Sequence, residues 1–262
     1  MTSSADAIVR RLRESGSVFA EDEADLLIGA ASSWEELESM VGRRVAGEPL
    51  EVVVGWAEFC GRRVLVDAGV FVPRARTRVL VDEAVRLAGS APVVVDLCCG
   101  TGAVGLAILD RLPGATLWAT DVDPVAVACA RRNVEHEGGR VTEGDLFEAL
   151  PRELRGRVDL LVVNAPYVPT EAIATMPPEA RDHEPWVALD GGADGVDLHR
   201  RVAAGAAAWL VAGGHVVIES SSAQAHLTRA ALEADGFDCR VVSDVDVEGT
   251  AVVGRHSRRD AR

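Results

Sequence analysis

The run Asp159-Leu160-Leu161-Val162-Val163 passes straight into Asn164-Ala165-Pro166-Tyr167, four residues suited to chemistry on a planar nitrogen. An amide or an aromatic amine has a delocalised lone pair and attacks poorly. A site that accepts hydrogen bonds from both of its N–H groups can turn that lone pair toward an incoming group. The Asn164 side-chain oxygen is one acceptor, and the backbone carbonyl of Ala165 is the natural second. Pro166 stiffens the loop and keeps that carbonyl aimed. Tyr167, the only tyrosine in the chain, offers a flat face to the plane of the substrate. The gain is orientation and polarisation. Taken alone, the tetrapeptide also reads as a turn whose proline and tyrosine merely pack.

A second cluster supplies the group to be transferred. Asp96-Leu97-Cys98-Cys99-Gly100-Thr101-Gly102 follows the apolar run Val93-Val94-Val95, where small residues let the backbone approach a ligand at the mouth of a sheet. Asp121 ends the next strand, where a carboxylate can accept both ribose hydroxyl protons. Two readings compete. Gly100-Thr101-Gly102-Ala103-Val104-Gly105 satisfies G-x-G-x-x-G, and Asp121 stands near the offset of a nicotinamide site. A dinucleotide fingerprint, however, puts its first glycine directly after the strand to seat a pyrophosphate. Asp96 stands there instead. A carboxylate repels pyrophosphate and suits a cation such as the ammonium of S-adenosylmethionine, so the methyl donor is the favoured reading; a turn with no ligand is the bland one. Gly144-Asp145-Leu146-Phe147 follows the third strand. Asp145 could accept the adenine amine proton, with Leu146 or Phe147 against the ring; an ordinary Gly-Asp turn explains it equally well. In-line displacement from a sulfonium requires no metal and no covalent enzyme intermediate.

The elements that position these residues alternate. Residues 1 to about 48 read as helices, with Ser33 as the N-cap before Trp34-Glu35-Glu36. EVVVGWAEF, a turn at Cys60-Gly61 and RRVLVDAGV suggest a hairpin, placed within a linker over 49–75. From residue 76 to 255 helices are expected over 77–88, 103–111, 124 to about 136, 197–211 and 223–235. Strands are expected over 93–97, 115–120, 139–142, 158–163, 215–219, 237–243 and 250–254. That alternation means a parallel sheet covered on both faces, with the last two strands antiparallel. Residues 256–262 form an Arg-rich tail expected to fray.

Composition narrows the function. The 262 residues carry 27 bases and 41 acids, a formal charge of −14, and every base is arginine. Schiff-base, lysine-base and P-loop-lysine chemistry are therefore excluded. The acidic balance opposes non-specific adhesion to nucleic acid or anionic membrane. No apolar run approaches a membrane-spanning length, and the N-terminal residues lack the apolar stretch of a secretory signal. Five cysteines without paired spacing suit a reduced, cytoplasmic chain and argue against a disulfide framework or zinc site. Asp182-His183-Glu184 could mimic metal ligands, but the expectation is a solvated loop and no metal.

At this point the sequence resembles the protein-(glutamine amide) methyltransferases, the release factor glutamine methyltransferase family, whose signature is Asn-Pro-Pro-Tyr. The likeness extends to Gly47-Glu48-Pro49-Leu50 with Gly55-Trp56-Ala57-Glu58-Phe59-Cys60-Gly61, to Val70-Phe71-Val72-Pro73-Arg74, and to Arg181-Asp182-His183-Glu184-Pro185 followed by Ala188-Leu189 and Gly191-Gly192. The resemblance implies an α/β class I S-adenosylmethionine-dependent methyltransferase: a Rossmann-like seven-stranded sheet with its last strand antiparallel, preceded by a small helical substrate-docking domain over 1–48. It implies that Asn164, Ala165, Pro166 and Tyr167 hold a protein glutamine amide. The donor would be held by Phe71, Arg74, Asp96, Cys98, Gly100, Gly102, Asp121, Val122, Asp145, Leu146, Phe147 and Asn164, leaving S-adenosylhomocysteine as product.

Three positions depart from the family pattern. Ala165 replaces the first proline, Cys98 the first glycine of the donor turn, and Arg78 an acid after Thr77. The backbone at Cys98 must therefore avoid positive φ or carry strain. The leading expectation is methylation of a protein glutamine, with a release factor as default substrate. The alternatives are an exocyclic amine of nucleic acid, a small-molecule amine or amide, and a non-catalytic donor-binding adaptor. Adenine and cytosine methyltransferases use a similar turn but need a basic groove, which the net charge disfavours.

Overall fold

The computed structural model describes residues 4–257. Four helices come first: α1 (Ser4–Glu14), α2 (Ala20–Ala30), α3 (Trp34–Val45) and α4 (Leu50–Val54). They close around Ile8, Leu12, Leu27, Met40, Val41 and Val53, a core separate from those of the sheet. Ser33 caps α3 as expected, its Oγ accepting the Glu36 N–H at 3.1 Å. Glu36 answers by accepting the Ser32 N–H at 2.7 Å. Arg44 grips Glu23 through Nε and Nη2 at 2.8 and 2.9 Å, tying α3 to α2.

Residues 50–54 form a helix rather than the expected strand. Three consecutive valines favour extended backbone, but Pro49 opens the turn, Gly55 closes it at φ 82°, and Val53 is drawn into the helical core. Burial overrides propensity, and the helical unit runs to Val54. The hairpin is then short: β1 (Trp56–Phe59) and β2 (Arg62–Leu65) pair antiparallel, with Phe59 opposite Arg62. Cys60 at φ 51° and Gly61 at φ 82° make the two-residue turn with positive φ at both positions that matches strand twist. Buried Asn133 pins the hairpin to the glycine turn over 96–102. It pairs with the Leu65 N–H and carbonyl at 2.9 and 3.0 Å and donates to the Thr101 carbonyl at 2.9 Å.

The rest is doubly wound. In chain order come α5 (Arg78–Leu87), β3 (Val93–Leu97), α6 (Ala103–Arg111), β4 (Thr116–Asp121), α7 (Pro124–Val134), β5 (Arg140–Glu143), β6 (Val158–Val163), α8 (Pro178–His183), α9 (Asp197–Ala206), β7 (Leu210–Glu219), α10 (Ala225–Ala234), β8 (Phe237–Asp244) and β9 (Gly249–His256). The sheet order is β5-β4-β3-β6-β7-β9-β8, and β9 alone runs against its neighbours. Alternate strand residues feed two cores. Val94, Leu160, Val162 and Val217 face α5–α7, while Val95, Leu161, Val163 and Ile218 face α9 and α10. Burial on both faces is why these strands read as continuous apolar runs. β7 begins at Leu210, earlier than expected, because Gly213 at φ 83° lets the strand pass a register shift opposite Val158/Leu160. The strand order reverses between β3 and β6, and such a switch point opens a crevice at the strands' carboxyl ends.

Candidate active site

The crevice is a cavity of about 700 Å³. On one side it is framed by the ends of β3, β4 and β5. Asp96 is buried, and its Oδ2 accepts the Gly105 N–H in the first turn of α6 at 2.9 Å. A Cβ at Gly105 would sit 2.8 Å from Leu117 Cδ2 and 3.2 Å from Asp96 Oδ2, so glycine there lets the carboxylate reach the helix. Burial pushes the Asp96 carboxyl up to about 7; the Gly105 hydrogen bond opposes this and the Asp121 charge adds to it. Asp121 accepts the Gly100 N–H at 2.8 Å and the Asp123 N–H at 3.0 Å. Its carboxyl is also raised, chiefly by burial. Cys98 takes φ 58° and Leu146 φ 48°, so two residues with side chains occupy the left-handed region at this rim. Cys98 carries the strain that its place in the turn demands.

Phe71, Arg74, Asp96, Cys98, Gly100, Asp121, Val122, Asp145, Leu146 and Asn164 all line the cavity. Gly102 and Phe147 do not lie on it. The missing side chain of Gly102 faces α7, where a Cβ would meet Val134 Cγ2 at 2.6 Å. Phe147 turns into the core, stacking on Trp209 with centroids 5.9 Å apart and over Gly205, where a Cβ would lie 2.5 Å from the ring. Of the two residues considered against a purine, Leu146 is the one at the cavity. Asp145 is held by Arg201 at 2.7 Å.

The other side of the cavity is Asn164-Ala165-Pro166-Tyr167 at the end of β6. Asn164 Nδ2 donates to buried Thr77 Oγ1 at 3.5 Å, which leaves the amide oxygen as its free acceptor. Tyr167 is fixed at three points. Its hydroxyl donates to Glu219 Oε1 at 3.0 Å, its carbonyl accepts from Gln224 Nε2 at 2.8 Å, and the Arg76 guanidinium carbon stands 5.9 Å from its ring centroid. Burial and the Glu219 charge drive the phenol well above its usual pKa, so it is neutral. Behind the loop, buried His199 places Nδ1 2.8 Å from Thr228 Oγ1, and burial lowers its pKa to about 4.

The sequence alone did not single out Arg76, Thr77, Arg201, Glu219 or Gln224 as site residues. Arg201, Glu219 and Gln224 belong to no motif contiguous with the site, while Arg76 and Thr77 follow directly on Val70-Phe71-Val72-Pro73-Arg74. Asp182-His183-Glu184 is not a solvated loop throughout. Asp182 is exposed and pairs with Arg181 at 2.7 Å, but α8 turns Glu184 inward, where it is buried against Arg74. The guanidinium compensates the buried charge. Arg78 pairs with Asp244 at 2.9 Å and Asp82 at 3.4 Å, away from the cavity, so its departure from the family pattern leaves the site's charge untouched.

A mixed sheet of this order, with a carboxylate-rimmed glycine turn, defines a class I methyltransferase. A methyltransferase from Pyrococcus furiosus shares the fold, with a TM-score of 0.52 at 15% identity over 69% of this chain and 81% of that one. The family model "Methyltransferase small domain" matches residues 62–177. A release factor glutamine methyltransferase from Geobacter sulfurreducens is 39% identical over 219 residues, 82% of this chain and 76% of that protein. A 4-amino-L-phenylalanine/4-methylamino-L-phenylalanine methyltransferase from Streptomyces pristinaespiralis is 37% identical over 75% of this chain and 69% of that protein. The chain belongs to the release factor glutamine methyltransferase family, whose members are S-adenosylmethionine-dependent N-methyltransferases.

Proposed function

We propose that this enzyme methylates the side-chain amide nitrogen of a protein glutamine, with the Gly-Gly-Gln loop of a peptide chain release factor as substrate. The observation that carries the reading is the orientation of Asn164. Thr77 takes its amide N–H, which leaves Oδ1 as an acceptor on the cavity, and the carbonyl of the neighbouring Ala165, which also lines the cavity, is the second acceptor of this reading. A primary amide offers two N–H donors to such a pair, and holding both orients the nitrogen lone pair. Ala165 supplies the same carbonyl a proline would. The relative that acts on release factors supports the choice of acceptor.

The cavity suits the donor by its chemistry. Two carboxyls of raised pKa, buried Asp96 and half-buried Asp121, flank a turn without a lysine or arginine of its own, a setting that favours a cation. When bound, S-adenosylmethionine supplies an electrophilic methyl on a sulfonium. Asp121 accepts from the ribose hydroxyls, the Asp96 side of the turn faces the methionine end, Asp145 accepts from the adenine amine, and Leu146 packs on the ring. Asn164 and Ala165 hold the acceptor's protons while Tyr167 walls its plane. The helices over 4–54 dock the protein substrate, and the reaction runs in the cytoplasm. No helix among the described residues is long and apolar enough to cross a membrane.

A second reading, methyl transfer to an aromatic amine of a small molecule, is favoured by the Streptomyces pristinaespiralis relative, because an aryl amine poses the same lone-pair problem. Incubation with isotope-labelled donor, candidate release factors and 4-amino-L-phenylalanine, followed by mass spectrometry, separates the two. The expected product is N-methylglutamine in the Gly-Gly-Gln loop. Label found only in the amino acid or in nucleic acid overturns the first reading.

A further inference from the structure

Tyr167 is the only acceptor-side residue held by side chains at both its main chain and its tip. The two that hold it, Glu219 at the end of β7 and Gln224 just before α10, come from outside its own loop. Each is committed to the task. Glu219 is buried; its Oε1 serves the Tyr167 hydroxyl at 3.0 Å and Arg76 Nε at 3.4 Å, while Oε2 makes no hydrogen bond. Gln224 uses every polar atom of its side chain. Nε2 donates to the carbonyls of Tyr167 and Asp194 at 2.8 and 2.9 Å, and Oε1 accepts from Ser221 Oγ at 2.6 Å. Gly195 leaves room for this clamp, because a Cβ there would fall 2.1 Å from Gln224 Nε2 and 2.4 Å from the Tyr167 carbonyl. A buried carboxylate with an unsatisfied oxygen is costly, and nothing in the packing of β7 against its neighbours demands one.

The geometry points to Glu219 and Gln224 as positioning residues for methyl transfer: together they lock the Tyr167 ring as a fixed wall of the acceptor slot, and the slot aligns its amide only while that wall is fixed. The inference rests on the proposed binding of the acceptor at residues 164–167. Neither residue touches the reacting atoms; each acts through Tyr167. The strand β6 that delivers the loop stays in place when either is changed, whereas Arg76, which pairs with Glu219 at 3.4 Å, loses that partner in Glu219→Ala.

The sole tyrosine makes the test direct. Tyrosine labelled with carbon-13 at the carbonyl and at the ring carbon bearing the hydroxyl gives one line for each end of the clamp. Glu219→Ala is expected to move the phenol line and leave the carbonyl line, and Gln224→Met to do the reverse. Misplacing an aligned group by an ångström can cost about a hundredfold, so each variant should lose ~10- to 100-fold in kcat on the release factor, with donor affinity unchanged. Glu219→Gln, which still offers the hydroxyl an acceptor oxygen, should recover most of that loss. In a Tyr167→Phe background Glu219→Ala should cost clearly less than in the wild type, because its tyrosine partner is already gone and only the Arg76 pairing is left to lose. An unmoved phenol line in Glu219→Ala, or losses that multiply in the double variant, overturns the clamp. The labelled lines are read on enzyme alone, so failure of the clamp is told apart from failure of the amide reading, which shows in the wild-type product.

Discussion

The two halves of the cavity are built by opposite means. The Asp96–Asp121 core of the proposed donor half is local. Asp96 is fixed by Gly105 nine residues on, Asp121 by Asp123, and the Gly100 N–H that Asp121 accepts lies 21 residues away in the turn after the neighbouring strand. Backbone amides hold Asp96 and Asp121, while Asp145 and Arg74 are held by the side chains of Arg201 and Glu184, 56 and 110 residues away. The proposed acceptor half is assembled at long range by side chains: Asn164 meets Thr77 across 87 residues, Tyr167 meets Glu219 across 52 and Gln224 across 57. A turn can carry its own donor site, but the acceptor site exists only after the sheet and its covering helices have closed. The halves should therefore fail independently.

The largest expected effect tests that independence directly. Asn164→Ala removes one of the two acceptors that hold the amide and should lower methyl transfer by ~10²- to 10³-fold, as loss of a preorganised group at a reacting centre does. Donor affinity measured by calorimetry should stay within a few-fold. Loss of donor binding with turnover intact would mean the halves have been assigned the wrong way round. Asp121→Ala is the converse. Donor binding should weaken by ~1–3 kcal/mol for a charge-assisted hydrogen bond, while turnover at saturating donor stays close to wild type. Unchanged affinity removes Asp121 from the ribose.

The same contrast explains what the sequence disclosed. The sheet, its reversed last strand and the ranges 93–97, 103–111 and 158–163 were legible because continuous apolar runs bounded by turn residues are written locally. The glycine turn over 96–102 was legible for the same reason: its residues are contiguous. The segment 50–54 was misread because its valines speak for a strand, and only the distant core of α1–α3 makes them helical. Thr77, Arg76, Glu219 and Gln224 were illegible as site residues, since what they do is defined by partners that no spacing rule connects. Glu184 hid in a charged loop because its burial depends on Arg74, 110 residues earlier.

A smaller effect sharpens the electrostatic side of the comparison. Asp96 in the unfolded chain is ionised above about 4, but burial holds its folded carboxyl protonated up to about 7. Between those values the folded state binds more protons, so this group's contribution to stability falls as pH rises and levels off above 7. Asp121 is shifted the same way. A cationic donor favours the ionised carboxylate, so donor affinity should rise with pH through about 7, by at most ~tenfold per unit for one proton. Asp96→Asn should flatten the profile. A wild-type affinity independent of pH from 6 to 8 would detach Asp96 from the cation.

The smallest effect concerns the strain the donor turn stores. Cys98 holds φ 58° where a side chain crowds the backbone, a conformation that costs an L-residue roughly 1–2 kcal/mol. Substituting glycine alone would mix three effects: relief of strain, lost thiol packing against the core beside α9, and a freer unfolded chain. Comparing Cys98→Gly with Cys98→Ala cancels the packing, since both lack the thiol. At an ordinary position alanine is the more stable by about 0.5–1 kcal/mol, through the entropy of the unfolded chain. Here the order should reverse, with glycine ahead by about 0.5–1 kcal/mol in denaturant unfolding, the difference between those two terms. Cys60, at φ 51° in the hairpin turn and outside the cavity lining, is the control. The reversal should appear there too, but only at Cys98 should the swap alter donor affinity. Alanine proving the more stable at both positions would mean that neither backbone is strained, and the donor turn could then relax without help from its ligand.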